Sequence, residues 1–144
     1  MTTSPAPDAT GPLTGELVLD EPFTEADLQA LRRAVAAHAD HSRLPRARVP
    51  DLVLIASELA ANAIRHGGGK GRLRLWRTAE ALVCQVTDHG PGLPATHALP
   101  VQRPEPTVTG GRGLWLVLTY ADAFAVQSNS GNGTTITATL ALTD

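Results

Sequence analysis

Residues 72–77 and 82–88 alternate apolar and polar side chains, and a short turn around residues 78–81 joins the two segments. Alternation with a period of two predicts strands that bury one face, and a short connection favours antiparallel pairing. A second pair of predicted strands, residues 124–128 and 134–142, is joined by a turn at residues 129–133. The chain is therefore expected to build its core on a largely antiparallel sheet.

Other segments repeat their apolar residues at the spacing of an α-helix. The first helix should begin after Thr24, which has Asp27 three residues on as in a capping box, and should end near Asp40. The second helix should be capped by Asp51 and stopped by the glycines at 67–69. Both helices precede the predicted hairpin of residues 72–88.

A first strand is expected at residues 13–19 and a third helix at residues 113–121. Residues 93–110 have no periodicity and contain four prolines, which predicts a long loop that could act as a lid. The order of elements favours the α+β class over a doubly wound parallel sheet. We expect a two-layer α/β sandwich, in which a mixed, mainly antiparallel sheet is covered on one face by about three helices.

Composition limits the classes of partner. With 144 residues, 42% apolar and 18% charged, the chain suits one domain over residues 13–144, preceded by a disordered tail at residues 1–12. A net charge of −2 and the absence of a long apolar run predict neither a nucleic-acid nor a membrane partner. The single Cys84 and the lack of a secretion signal predict a cytoplasmic location.

Polar residues recur along one side of the second predicted helix. Glu58, Asn62 and Arg65 lie at i, i+4 and i+7, beside the apolar stripe. Such groups are costly to desolvate without partners, so they pair within the protein or face a polar ligand. For this helix taken alone, an ordinary solvated face is the simpler interpretation.

Asp88 ends a predicted strand on the same face as Leu82 and Cys84, so its carboxylate should point inward. An inward carboxylate needs donors, which could be the exocyclic amine of adenine or a neighbouring backbone amide. The glycines at 90 and 92 would let the chain leave the strand sharply, although a motif of this kind is often only a turn.

Two further features accompany this carboxylate. Residues 110–114 place three glycines and Arg112 at the start of a predicted helix, which suits an anion but also suits a simple hinge. Thr134 shares the inward face of Ile136, either to cap the strand or to form with Asp88 a polar patch for the edge of a base.

Four segments, taken in chain order, resemble the motifs of the GHKL ATPase superfamily. The segments are ELAANAIRH at 58–66, DHGPG at 88–92, GRGLWLV at 111–117 and GTTITATL at 133–140. They are similar to the N box, two glycine boxes and closing threonine strand of that superfamily, whose domain is a sandwich of the Bergerat type. The closest resemblance is to bacterial anti-sigma-factor serine/threonine kinases and stand-alone histidine-kinase-like ATP-binding regulatory proteins.

The resemblance implies ATP and Mg²⁺ as cofactors. It implies that Glu58 is the general base and that Asn62 binds both magnesium and ATP. The other ATP-binding residues that it implies are Arg65, His66, Asp88, Gly90, Gly92, Gly111, Arg112, Gly113, Leu114 and Thr134.

The resemblance also implies a function. We expect a regulatory serine/threonine protein kinase that phosphorylates an antagonist protein and sequesters a sigma factor. The alternatives are a nucleotide-dependent protein-binding module with little or no kinase activity, and a slow ATPase. The motifs leave open whether the protein forms a homodimer.

Overall fold

The computed structural model describes residues 15–90, 112–129 and 133–142, and within them five strands form one sheet. The strands are β1 (Glu16–Thr24), β2 (Lys70–Arg77), β3 (Ala81–Asp88), β4 (Ala123–Asn129) and β5 (Gly133–Ala141). Their order across the sheet is β1, β2, β3, β5, β4, and each neighbouring pair is antiparallel. Both predicted hairpins are confirmed, whereas the described strands include no parallel pair of the kind that a mixed sheet would contain.

Three helices accompany the sheet: α1 (Leu28–Asp40), α2 (Val49–His66) and α3 (Arg112–Tyr120). Helix α2 lies in the middle, where it packs against both other helices and against β2, β3 and β5. The predicted two-layer α+β sandwich is therefore confirmed. In the described parts of the chain, no helix has the length and apolar character needed to cross a bilayer.

The core lies between α2 and one face of the sheet. Its fully buried side chains include Leu52, Ile55 and Leu59 of α2 and Leu73, Leu75, Leu82 and Leu140 of the sheet. Burying one such side chain contributes about 1.5–3 kcal/mol. Burial also raises the pKa of Cys84 to about 12, so this thiol is a packing group rather than a nucleophile.

The start of α2 differs from the prediction that Asp51 caps it. The helix begins at Val49, and Asp51 lies in the first turn, with its Oδ2 3.2 Å from Nε of Arg48. Pro50 is tolerated there because the first turn of a helix has no internal partner for its amide hydrogens. A carboxylate in the first turn still favours the helix through the macrodipole.

The start of α1 agrees with the prediction, but β1 extends further than expected. The Thr24 amide donates to Oδ2 of Asp27 at 2.8 Å, ahead of a short 3₁₀ turn that leads into α1, and α1 ends at Asp40 as predicted. Strand β1 continues past residue 19 because Phe23 pairs opposite Gly71 and is buried. The predicted first two residues of this strand, 13 and 14, and the predicted tail lie outside the described residues.

Candidate functional site

The end of β3 carries a buried carboxylate. Asp88 is 5% exposed and lies opposite Thr134 of β5, which is 4% exposed. The prediction that both side chains face inward is confirmed, since both continue the core-facing side of their strands. A polar pair therefore forms one end of the hydrophobic core.

Backbone amides stabilise the Asp88 carboxylate. Its Oδ1 accepts a hydrogen bond from the Gly90 amide at 3.0 Å. Burial raises the pKa of Asp88, whereas backbone hydrogen bonds from Gly90 and Thr134 and the proximity of His89 and His66 act in the opposite direction. Amide donors, one of the two alternatives left open by the sequence, are thus present. A carboxylate offers about four acceptor positions, so two amides leave capacity for a further donor.

Helix α2 brings a second polar group to this region. Asn62 is 7% exposed, and Glu58, one turn earlier, is partly buried. Among the described residues, neither side chain has a hydrogen-bond or ion-pair partner. A buried amide normally has a partner, so the partner of Asn62 is a ligand or a group outside the described residues. The next turn ends with Arg65 and His66, which are both exposed.

Helix α3 packs against α2, and the end of α3 lies close to the start of α2. Nη2 of Arg48, at the start of α2, donates to the carbonyl oxygen of Tyr120 at the end of α3. Leu114 is 2% exposed and packs in the core, so only its backbone could contact a nucleotide.

Several predicted site residues fall outside the described part of the chain. Gly92, Gly111 and the predicted lid at residues 93–110 lie there, as does the side chain of Arg112. The described residues bring together His66, Asp88, Gly90 and Thr134 at one end of the sheet, with Glu58, Asn62 and Arg65 on the adjoining helix.

Two glycines at this end were not predicted as site residues. A Cβ on Gly67 would lie 2.5 Å from Cβ of Asp88, and a Cβ on Gly133 would lie 2.9 Å from Cα of His89. Both distances are far below an ordinary contact between carbon atoms, about 3.5–4.0 Å. The glycine clusters at 67–69 and 131–133 were the available signal, but the first predicts only a helix stop and the second only a turn.

The chemistry of the donors fits a nucleotide accompanied by a magnesium ion. In the described part of the chain, no group of three His, Cys, Asp or Glu side chains could bind a metal alone. Magnesium that bridges phosphates needs only one or two protein oxygens, because water and phosphate supply the others. The buried amide of Asn62 suits this requirement.

The chain matches a known protein family. A family model described as the histidine kinase-like ATPase domain matches residues 22–140, from the end of β1 almost to the end of β5. Glu58, Asn62, Asp88 and Thr134 all lie within the matched residues. No curated protein matches the chain.

Proposed function

The chain belongs to the family of histidine kinase-like ATPase domains, and from this premise we propose that it is a regulatory serine/threonine protein kinase. It would bind ATP with magnesium beside Asp88 and Thr134, and would transfer the γ-phosphoryl group to a protein partner. The motifs resemble those of the anti-sigma-factor kinases. We therefore propose an antagonist protein as substrate and a sigma factor as a second partner.

The base of the nucleotide would be recognised at the end of β3. The Asp88 carboxylate would accept a hydrogen bond from the exocyclic amine of adenine, and the Thr134 hydroxyl would assist it. Support comes from the burial of both side chains and from the acceptor capacity that the two amides leave on the carboxylate. Gly90 and Gly92 would border the ring.

The phosphates would lie between the second half of α2 and the start of α3. The Asn62 amide oxygen would bind magnesium, which neutralises phosphate charge when it is present. Arg65 and His66 add donors at the end of α2. Gly111, Arg112 and Gly113 would bind phosphate oxygens through the free amides of a helix start.

Glu58 carries the kinase part of the proposal. Its carboxylate is partly buried and has no ion-pair or hydrogen-bond partner among the described residues, so none of them competes for it. In the proposed step it accepts the proton of the attacking serine or threonine hydroxyl. That oxygen forms a bond to the γ-phosphorus while the bond to the β-γ bridging oxygen breaks and ADP leaves.

Calorimetric titration measures the binding of MgATP, and mass spectrometry of phosphosites measures phosphate transfer to partner proteins. We expect Asn62→Ala and Asp88→Asn to weaken binding at least about tenfold, which is the effect of losing about 1.4 kcal/mol. Glu58→Gln should bind normally yet transfer no phosphate to partners captured from the cell, as measured by mass spectrometry of phosphosites. Glu80→Gln, an exposed carboxylate at the opposite end of β3, is the matched control and should retain both properties.

The outcomes distinguish the alternatives. Undiminished binding in both Asn62→Ala and Asp88→Asn would refute the pocket. If wild-type protein binds MgATP and exchanges partners between ATP and ADP without transferring phosphate, it is a nucleotide-dependent binding module. Release of inorganic phosphate without any phosphorylated partner would indicate a slow ATPase.

A further inference from the structure

The glycine that follows α2 is held against the carboxylate of Asp88. Gly67 has φ −113° and ψ 23°, a conformation that does not require glycine. Space is the constraint instead. A Cβ at this position would lie 2.5 Å from Cβ of Asp88, 2.5 Å from the Ala63 carbonyl oxygen, and closer still to Cγ of Asp88. Any side chain on residue 67 would therefore displace the Asp88 side chain, the helix end, or both.

Gly90, which donates to this carboxylate, also lies directly against Gly67. A Cβ on Gly90 would lie 2.6 Å from Cα and 2.7 Å from the carbonyl carbon of Gly67. The backbones of residues 67 and 90 thus touch, while the Gly90 amide donates to Oδ1 of Asp88. The carboxylate is fixed by this donor and by the Gly67 backbone, and the Thr134 amide also donates to it.

We propose that Gly67 is a positioning residue that determines base selectivity by holding Asp88 in the orientation needed to accept from a 6-aminopurine. This inference rests on the proposed function. A hydrogen bond weakens steeply when its length or angle departs from the optimum, so a displacement of about 1 Å at the carboxylate would remove the preference for an amine. Gly67 also lies where the end of the helix that carries Asn62 contacts the strand that carries Asp88. This contact would set the distance between the sites for the phosphates and the base of the nucleotide.

The ratio of affinities for MgATP and MgITP measures this role, because ITP has an oxygen in place of the 6-amine. We expect Gly67→Ala to lower ATP affinity at least about tenfold and to bring the ATP:ITP ratio close to that of Asp88→Ala. Gly68→Ala is the matched control. Gly68 has φ +89°, and a Cβ added there would have no atom within 4 Å, so alanine strains the backbone without touching Asp88. Gly68→Ala should lower the free energy of unfolding and leave the ratio of ATP to ITP affinity unchanged.

The outcomes separate this inference from the proposal on which it rests. Wild-type protein that does not bind ATP, or that binds ATP and ITP equally, would refute base recognition by Asp88. A wild-type preference for ATP that persists in Gly67→Ala would refute only the role of Gly67. If Gly67→Ala does not fold, Gly90→Ala tests the same contact, and an unchanged ratio there refutes the inference. Loss of folding in both variants would also refute it, because the contact would then be purely structural.

Discussion

Asp88 is the residue at which stability and recognition oppose each other. Burial raises its pKa above the ordinary value of 3.8, although two backbone amides and two nearby histidines counteract part of the effect. Between the ordinary pKa and the higher folded pKa, the folded protein binds more protons at Asp88 than the unfolded chain does. Stability conferred by the protonated carboxyl is complete below the ordinary pKa and is lost as pH rises through the higher folded value.

Replacement of this carboxyl should therefore stabilise the protein at neutral pH. We expect Asp88→Asn to have a higher free energy of unfolding than wild type at pH 7, because its amide has no charge to desolvate and its Oδ1 can still accept from Gly90. Urea unfolding across pH should show the difference growing from about pH 4 and then reaching a plateau. A difference that shrinks as pH rises would mean that the fold favours the charged carboxylate.

The sequence is informative about Asp88 and silent about Gly67 for a physical reason. Period-two alternation assigns every residue of a regular strand to a face, so the inward direction of Asp88 and Thr134 followed from their neighbours. The role of Gly67 depends on the close approach of β3 to the end of α2. Nothing local distinguishes Gly67 from Gly68, because only the tertiary contact makes the missing side chain necessary.

Among the helices, Arg48 joins elements that are distant in the chain. Its guanidinium donates to the Tyr120 carbonyl at 2.7 Å and lies 3.2 Å from Asp51 and 3.6 Å from Asp122. Oδ2 of Asp122 in turn accepts from the Ala141 amide at 2.7 Å. The cation satisfies a carbonyl at the end of α3 and favours that end of the helix dipole. It thereby ties the start of α2 to α3 and β5.

Removal of this guanidinium should loosen the helical layer. We expect Arg48→Ala to lower the free energy of unfolding by about 1–2 kcal/mol, the usual effect of losing a charge-assisted hydrogen bond at a partly exposed position. Arg46→Ala is a matched control, because Arg46 lies in the same 3₁₀ turn before α2 (Arg46–Arg48), is exposed and has no partner among the described residues. It should change stability by less than about 0.5 kcal/mol. Equal losses in urea unfolding of the two variants would contradict this role of Arg48.

Element types were predictable from local periodicity, whereas the neighbours of each element were not. The hairpins followed from short turns, but the pairing of β3 with β5 joins strands separated by α3 and β4. Because β3 lies between β2 and β5, the second face of β3 is buried as well. Gln85 and Thr87 are buried there, and Thr87 approaches the Thr135 hydroxyl at 3.3 Å. Alternation alone identifies one buried face and gives no sign of the other.

At the scale of the whole molecule, the proposed site spans segments that meet only in the fold. Residues 58–67, 88–90 and 133–134 come from α2, the end of β3 and the start of β5, and all three segments join the same core. A ligand that contacts all three binds the folded chain and has no comparable site in the unfolded one. Binding should therefore raise the stability of the entire domain rather than order one loop.

Thermal unfolding in the presence of nucleotide measures this coupling. At a MgATP concentration about 100 times Kd, linkage contributes about 2.7 kcal/mol. In a domain of about 150 residues this should raise Tm by about 5–10 °C. Asp88→Asn should show little of this increase in Tm, while Glu58→Gln and Glu80→Gln should show all of it, because neither glutamate is proposed to hold the ground-state nucleotide.

Excess chelator should reduce the increase in Tm, since the Asn62 amide would then bind no magnesium. An equal rise in Tm with MgGTP would contradict recognition of the 6-amine of adenine by Asp88, because guanine has an oxygen at that position.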